Sequence, residues 1–224
     1  MNLQTGLFLA LVLISVVSCS GPDSFQGTEL DSPDVAPPFR LVNQFGDSVG
    51  LSDMAGKVVV LTFLYTNCPD ICPLTTETLR RAHTILGNDS NQIEMVAISV
   101  DPQRDSVESA YQYSDERDML NRWHYLVGNE EQLEPIWKSY WLDPIQETTN
   151  SADAPLNDEH GDGGIAPGTG AGGSALPRSA PDSYLVNHTA PVFLIDRRGY
   201  RRSLFSSLSL DPQPLVHDIR LLIE

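Results

Sequence analysis

Val58-Val59-Val60-Leu61-Thr62-Phe63-Leu64 has one polar residue and no polar alternation, which predicts a strand covered on both faces at the centre of a sheet. Ile93 to Val100 predicts a second buried strand, closed by Asp101-Pro102, and Trp123 to Val127 a third, shorter one. Val192 to Asp196 predicts a strand that turns at Arg197-Arg198-Gly199 and pairs with Tyr200 to Phe205. Helical spacing fills the intervals. Leu74, Thr78, Leu79, Ala82, Ile85 and Leu86 predict a helix over 74–86 with Pro73 at its first position, where a missing N–H costs nothing. Val107, Ala110, Tyr111 and Ser114 share one face over 106–119, and Pro135 shortens or kinks a helix over 130–141. Leu215, Ile219 and Leu222 face inward over 212–223. Upstream, Phe39 to Val42 and Ser48 to Leu51 flank a turn at Gly46-Asp47, a small hairpin, and Ser52-Asp53 caps one helical turn ending at Gly56. Strand and helix alternate: an α/β fold with a central mixed sheet flanked by helices.

Three stretches lack such periods. Residues 7–17 are apolar except for Ser15, too short a run to span a bilayer comfortably and the length of a signal-peptide core. The run ends in Val16-Val17-Ser18-Cys19, which resembles the bacterial lipobox, although no Lys or Arg precedes it. An uncleaved N-terminal anchor is the alternative. Either way the domain lies outside the cytoplasm on a membrane, facing the periplasm or outer cell surface. The expected division is a signal peptide over 1–18, a lipidated Cys19 and flexible tether over 19–37, and one domain over 38–224. Residues 143–183 interrupt that domain with seven acidic residues, one Arg and seven glycines between Gly161 and Gly173, and read as a disordered or loop insertion.

The 224 residues are enough for a single α/β domain. A formal net charge of −16 argues against nucleic acid as a partner. Three cysteines are too few for a disulfide scaffold. The only basic cluster, Arg197, Arg198, Arg201 and Arg202, is expected to be a solvated hairpin rather than a dock for an acidic partner or lipid.

The chemistry is concentrated in Tyr65-Thr66-Asn67-Cys68-Pro69-Asp70-Ile71-Cys72-Pro73, a strand-to-helix junction. A cysteine pair at the end of the first long buried strand points to a thioredoxin-like fold, since open α/β sheets place their sites at strand C-termini. With Cys72 in or just before the first helical turn, the helix terminus would stabilise its thiolate, and Cys68 would turn its sulfur to the same point. Two thiolates and one further ligand suit Cu(I); a structural disulfide or inert buried thiols are the plain alternative. His188, in a loop before a core strand, is the natural third ligand, although a lone histidine is usually only a hydrogen-bonded side chain. Asp101 either hydrogen-bonds a ligand, acts as an acid–base group, or caps the turn into the next helix. His160 reads as a solvated loop residue, and His83, His124 and His217 as surface or core residues.

The string Gly56 to Pro73, with Ile98-Ser99-Val100-Asp101-Pro102-Gln103-Arg104-Asp105 and Tyr184-Leu185-Val186-Asn187-His188-Thr189, is similar to the signature of the SCO/SenC family. The similarity runs from about Pro38 to the C-terminus, apart from 143–183. It implies a membrane-tethered thioredoxin-like domain with Cys68, Cys72 and His188 as copper ligands, as Cu(I) or Cu(II), and Asp101 near the site. It also implies a role in assembling the dinuclear copper centre of cytochrome c oxidase, with some members acting as thiol–disulfide reductants there. Pro191, where the family usually has a larger residue, stands before a core strand as the cis-proline beside thioredoxin active sites does. The Gly-rich insertion lies just before His188. Both features add weight to redox chemistry.

The expected function is therefore a copper metallochaperone that delivers copper to, or prepares, the copper centre of a respiratory cytochrome c oxidase, with the oxidase's copper-bearing subunit or another copper carrier as partner. The alternative is a thiol–disulfide oxidoreductase with Cys68 attacking and Cys72 resolving; a peroxidase is a distant third.

Overall fold

A computed structural model describes residues 24–30, 33–148, 184–187 and 189–224. The leader, Cys19, His160, His188 and most of the insertion lie outside the described residues. In chain order the elements are β1 (Thr28–Glu29), β2 (Arg40–Val42), β3 (Ser48–Gly50), a 3₁₀ turn (Leu51–Met54), β4 (Val58–Leu64) and α1 (Ile71–Leu86). After a second 3₁₀ turn (Gly87–Gln92) come β5 (Ile93–Ser99), α2 (Val107–Glu116), β6 (His124–Leu126) and α3 (Glu130–Ser139). The chain closes with β7 (Ile145–Thr148), β8 (Tyr184–Asn187), β9 (Val192–Ile195), β10 (Arg201–Phe205) and α4 (Gln213–Ile223).

One mixed sheet runs β1-β10-β9-β4-β5-β6. β4, β5 and β6 are parallel, and β9 lies antiparallel on the other side of β4. This explains the unbroken apolar run: β4 has a strand on each side and all seven of its residues are buried. It is the thioredoxin-like arrangement expected from the cysteine position. No helix among the described residues is long and apolar enough to cross a membrane.

The β2–β3 hairpin forms as expected. Asn43 Oδ1 accepts from the amides of Phe45 and Asp47, and Gly46 takes φ +86°, a left-handed conformation that glycine adopts without a Cβ clash. A bridge from Val42 to Val127 sets the hairpin beside β6.

Several expectations change. α1 starts at Ile71, so Cys72 is its second residue and Pro73 its third, still among the amides that lack intrahelical partners. On α2 the buried aromatic is Tyr113, stacked on Trp123, whereas Tyr111 is exposed against Phe45. The insertion contributes its first residues to structure: Ile145 to Thr148 pair with β8. The expected flexible tether is also docked over its described length. β1 pairs with β10, the amides of Gln26 and Gly27 donate to the buried Asp218 carboxylate, and Val35 bridges Tyr200. Those amides and the β10 edge offer hydrogen bonds that compensate the entropy a polar segment loses on ordering.

The arginine cluster is not a solvated hairpin throughout. Arg201 is buried and paired with Asp34, Arg202 and Arg198 reach Asp196, and Arg197 donates to Gln92 and the Ile223 carbonyl.

Candidate metal and thiol site

β4 ends at Leu64, and residues 65–70 carry the chain over the sheet edge into α1. Cys68 is nearly buried and Cys72 fully so, and both are thiols. The Cys68 amide donates to the Tyr65 carbonyl at 3.3 Å, closing a turn. The Cys72 amide donates to Cys68 Sγ at 3.4 Å, so the first turn of α1 holds the upstream sulfur directly. Thr76 fixes the next turn, its hydroxyl donating to the Cys72 carbonyl at 2.8 Å and lying 2.9 Å from the Tyr113 hydroxyl.

The electrostatics reverse one expectation. Burial pushes the Cys72 thiol far above its usual range, and the hydrogen bond and charge of Cys68 add to the rise. The helix terminus does not lower it, because desolvating a thiolate outweighs a few first-turn N–H dipoles. Tyr65 is pushed up to about 12, by burial first and by the Cys68 charge next. Without metal, Cys72 is therefore held toward its protonated form.

β5 ends beside β4, and the loop after it lies along the same edge. The Val100 amide donates to the Leu64 carbonyl at 2.9 Å. Asp101 is fully buried there, but its carboxylate is already engaged: Arg104 Nε donates to one oxygen and the Tyr184 hydroxyl to the other, each at 2.5 Å. The capping alternative does not hold, because Ser106 caps α2, its hydroxyl accepting from the Ser109 amide, and the amides of Arg104 and Asp105 return to the backbone carbonyl of Asp101 and not to its carboxylate.

Sequence reasoning assigned no role to Asp105. Its buried carboxylate accepts from the Thr66 amide at 3.0 Å, the Thr66 hydroxyl at 2.6 Å, the Ser99 hydroxyl at 2.7 Å and the Tyr125 hydroxyl at 3.1 Å. Burial raises its pKa and the Ser99 and Thr66 hydrogen bonds oppose the rise. The signal available was the second acidic position in the stretch from Ile98 to Asp105; nothing in its periodicity marks it as buried. Tyr65 was missed likewise, although its hydroxyl accepts from the Val186 amide of β8 at 3.4 Å.

The structure thus brings Cys68, Cys72 and Asp101 to one sheet edge. Among the described residues no three His, Cys, Asp or Glu side chains gather to hold a metal, so the described donor set is the two sulfurs. His83, His124 and His217 lie elsewhere: His83 Nδ1 sits 3.2 Å from Arg122, His124 3.7 Å from Glu94, and His217 3.2 Å from the Ser24 carbonyl. The Ala190–Pro191 bond is trans, as are all peptide bonds among the described residues, so the expected likeness to a cis-proline does not hold.

The SCO1/SenC family model matches residues 27–159, more than half of the chain. The chain belongs to the SCO1/SenC family. The SCO2-like protein RP587 of Rickettsia prowazekii is 24% identical to it over 211 residues, 93% of this chain and 88% of that protein. Among solved structures, apo Sco1 from Thermus thermophilus superposes with a TM-score of 0.65 at 26% identity, covering 88% of this chain and 96% of that one. Bradyrhizobium japonicum ScoI with copper bound gives 0.59 at 24% identity, covering 84% and 99%. In this SCO1/SenC chain the family match covers both cysteines and the Asp101 loop, while β8 and His188 fall beyond it.

Proposed function

We propose that this chain is a membrane-tethered copper carrier that holds Cu(I) through Cys68, Cys72 and His188 and hands it to the copper-bearing subunit of a cytochrome c oxidase or to another carrier. The observation that carries the reading is the pair of adjoining, almost water-free sulfurs. Soft sulfur in a dry pocket favours a soft monovalent ion and discriminates against hard cations. The neighbouring carboxylates do not compete, because Asp101 and Asp105 are each taken up by their own donors. The copper-bound Bradyrhizobium relative lends support. Lipidation of Cys19 would provide the tether.

The raised Cys72 pKa gives transfer a driving force. Copper uptake expels the Cys72 proton, and when a partner's thiolates take the ion by ligand exchange, Cys72 takes a proton back. The metal-free product is then a neutral thiol in a dry site, the form that burial favours.

A second reading is favoured by the difference in burial between the cysteines, 7% exposed for Cys68 and 0% for Cys72. In a disulfide reductase the outer sulfur attacks a partner disulfide. The inner sulfur then displaces the partner's second thiol, leaving Cys68–Cys72 oxidised and the partner reduced by two electrons. An anaerobic Cu(I) competition titration separates the two. One equivalent of tight copper, weakened by His188→Ala and abolished by Cys68→Ser/Cys72→Ser, is the expected result. Equal binding by the histidine variant would transfer support to the reductase.

A further inference from the structure

Tyr65 is the first residue past β4, and each of its hydrogen-bonding groups reaches one of the two cysteines. Its carbonyl accepts from the Cys68 amide at 3.3 Å. Its amide donates to the Cys72 sulfur. Its hydroxyl is hydrogen-bonded to the Cys68 sulfur, and the same oxygen accepts from the Val186 amide of β8 at 3.4 Å. A ligating sulfur carries no proton, so in the bond to Cys68 the phenol must then be the donor. Cys68 Sγ thus accepts from the Tyr65 hydroxyl as well as from the Cys72 amide at 3.4 Å.

The phenol is held in that direction from several sides. Upstream, the Leu64 carbonyl accepts from the Val100 amide at 2.9 Å. Downstream, the Thr66 amide and hydroxyl donate to the buried Asp105 carboxylate at 3.0 and 2.6 Å, so the chain is pinned on both sides of Tyr65. The ring itself is buried, with the Arg104 guanidinium 5.7 Å from its centroid. A donor fixed in this way needs no reorganisation when charge appears on the sulfur.

We propose that Tyr65 is a positioning residue that tunes the Cys68 sulfur, its fixed hydroxyl donating to that sulfur so that the site favours Cu(I) over Cu(II). The proposal deepens the copper-carrier reading and rests on it through the two sulfurs alone. Its physical basis is charge sharing. A hydrogen bond to a coordinated thiolate draws electron density off the sulfur, and the more electron-demanding Cu(II)–sulfur bond loses more by this than the Cu(I)–sulfur bond. A hydroxyl that only filled space or held the Val186 amide would contribute to stability and leave the balance between the two ions unaltered.

The test loads the reduced protein anaerobically with one equivalent of copper and reads its Cu(II)/Cu(I) balance against mediators of known potential. Wild type is compared with Tyr65→Phe, which removes only the hydroxyl. Thr76→Val is the structural control, since it removes a buried hydroxyl that donates to the Cys72 carbonyl at 2.8 Å. Tyr65→Phe is expected to shift the ratio of Cu(II) to Cu(I) affinity about tenfold towards Cu(II), a potential about 59 mV lower. Its sulfur-to-Cu(II) charge-transfer band should move to longer wavelength, because a sulfur without the donor gives up an electron more readily. Thr76→Val should lower the melting temperature and leave ratio and band in place. A ratio within about twofold of wild type in Tyr65→Phe, or an equal shift in Thr76→Val, overturns the proposal. Should Tyr65→Phe fail to fold, 3-fluorotyrosine at position 65, a stronger donor of nearly the same shape, should move the ratio towards Cu(I); no movement, or movement towards Cu(II), overturns it. If wild type takes up no copper in either state, the carrier reading falls and the proposal with it. Copper uptake with a ratio indifferent to the hydroxyl overturns the proposal alone.

Discussion

Replacing Asp34 by alanine should unpin the N-terminal segment and reveal the cost of a lone buried charge. The Arg201 side chain is 3% exposed and its partner Asp34 54%. The guanidinium donates to both Asp34 oxygens, to the Ser139 carbonyl at 3.2 Å, and lies 4.2 Å from the Trp141 ring centroid. Breaking a fully buried pair costs about 3–5 kcal/mol, whereas an exposed pair is worth about 0–1. Here the cation is dry, but the carboxylate is half in water, and Ser139 and Trp141 remain after its loss. The expected cost is about 2 kcal/mol, or roughly 6 °C in melting temperature for a domain of this size. Urea and thermal unfolding of the reduced, metal-free protein measure it. Asp34→Ala/Arg201→Met should recover most of the loss, because the penalty comes from an uncompensated charge and not from missing contacts. The pH dependence has a definite sign. Arg201 holds the Asp34 carboxyl below its usual 3.8, by its hydrogen bond first. The contribution is therefore fully present above that value and is lost as pH falls through the lower folded pKa. Wild type should keep its advantage from about pH 5 upward and surrender it in acid. A cost below about 0.5 kcal/mol, or a double variant less stable than Asp34→Ala, refutes the reasoning.

Copper affinity should climb with pH. The Cys72 thiol is pushed well above its usual 9.0, by burial first and Cys68 next, so uptake expels at least one proton and apparent affinity gains about tenfold per pH unit. A competition series from about pH 7 to 9.5 checks this, and a plateau below pH 9 contradicts it. Asp218→Ala strips a fully buried carboxylate from the amides of Gln26 and Gly27 and the Ser203 hydroxyl. It should cost about 2–3 kcal/mol and speed hydrogen exchange in β1, whereas unchanged exchange there would show that Asp218 does not hold the strand.

Much of the site was legible before the fold. The run from Val58 to Leu64 gave itself away because a strand paired on both sides and covered on both faces has no use for alternation. The cysteine spacing and the strand-to-helix junction followed from local chemistry, since turn and helix-start signals act over a few residues. Thiol charge was not legible: the same helix terminus that stabilises an exposed thiolate is overridden when Tyr65, Tyr113 and the sheet edge exclude water from Cys72.

The pattern of apolar residues by itself determined the order of strands and helices, the central strand, and the meeting of two sulfurs at its end. Tertiary structure alone decided that Thr28–Glu29 dock as an edge of the sheet, that Arg201 is interior, and that Asp101 meets Tyr184 while Asp105 meets Thr66. Periodicity reports which face of an element is apolar, whereas the partner of a polar group is a long-range match. The Asp34–Arg201 and Asp101–Tyr184 pairs lie 167 and 83 residues apart, a separation at which no local preference of the chain records what will meet.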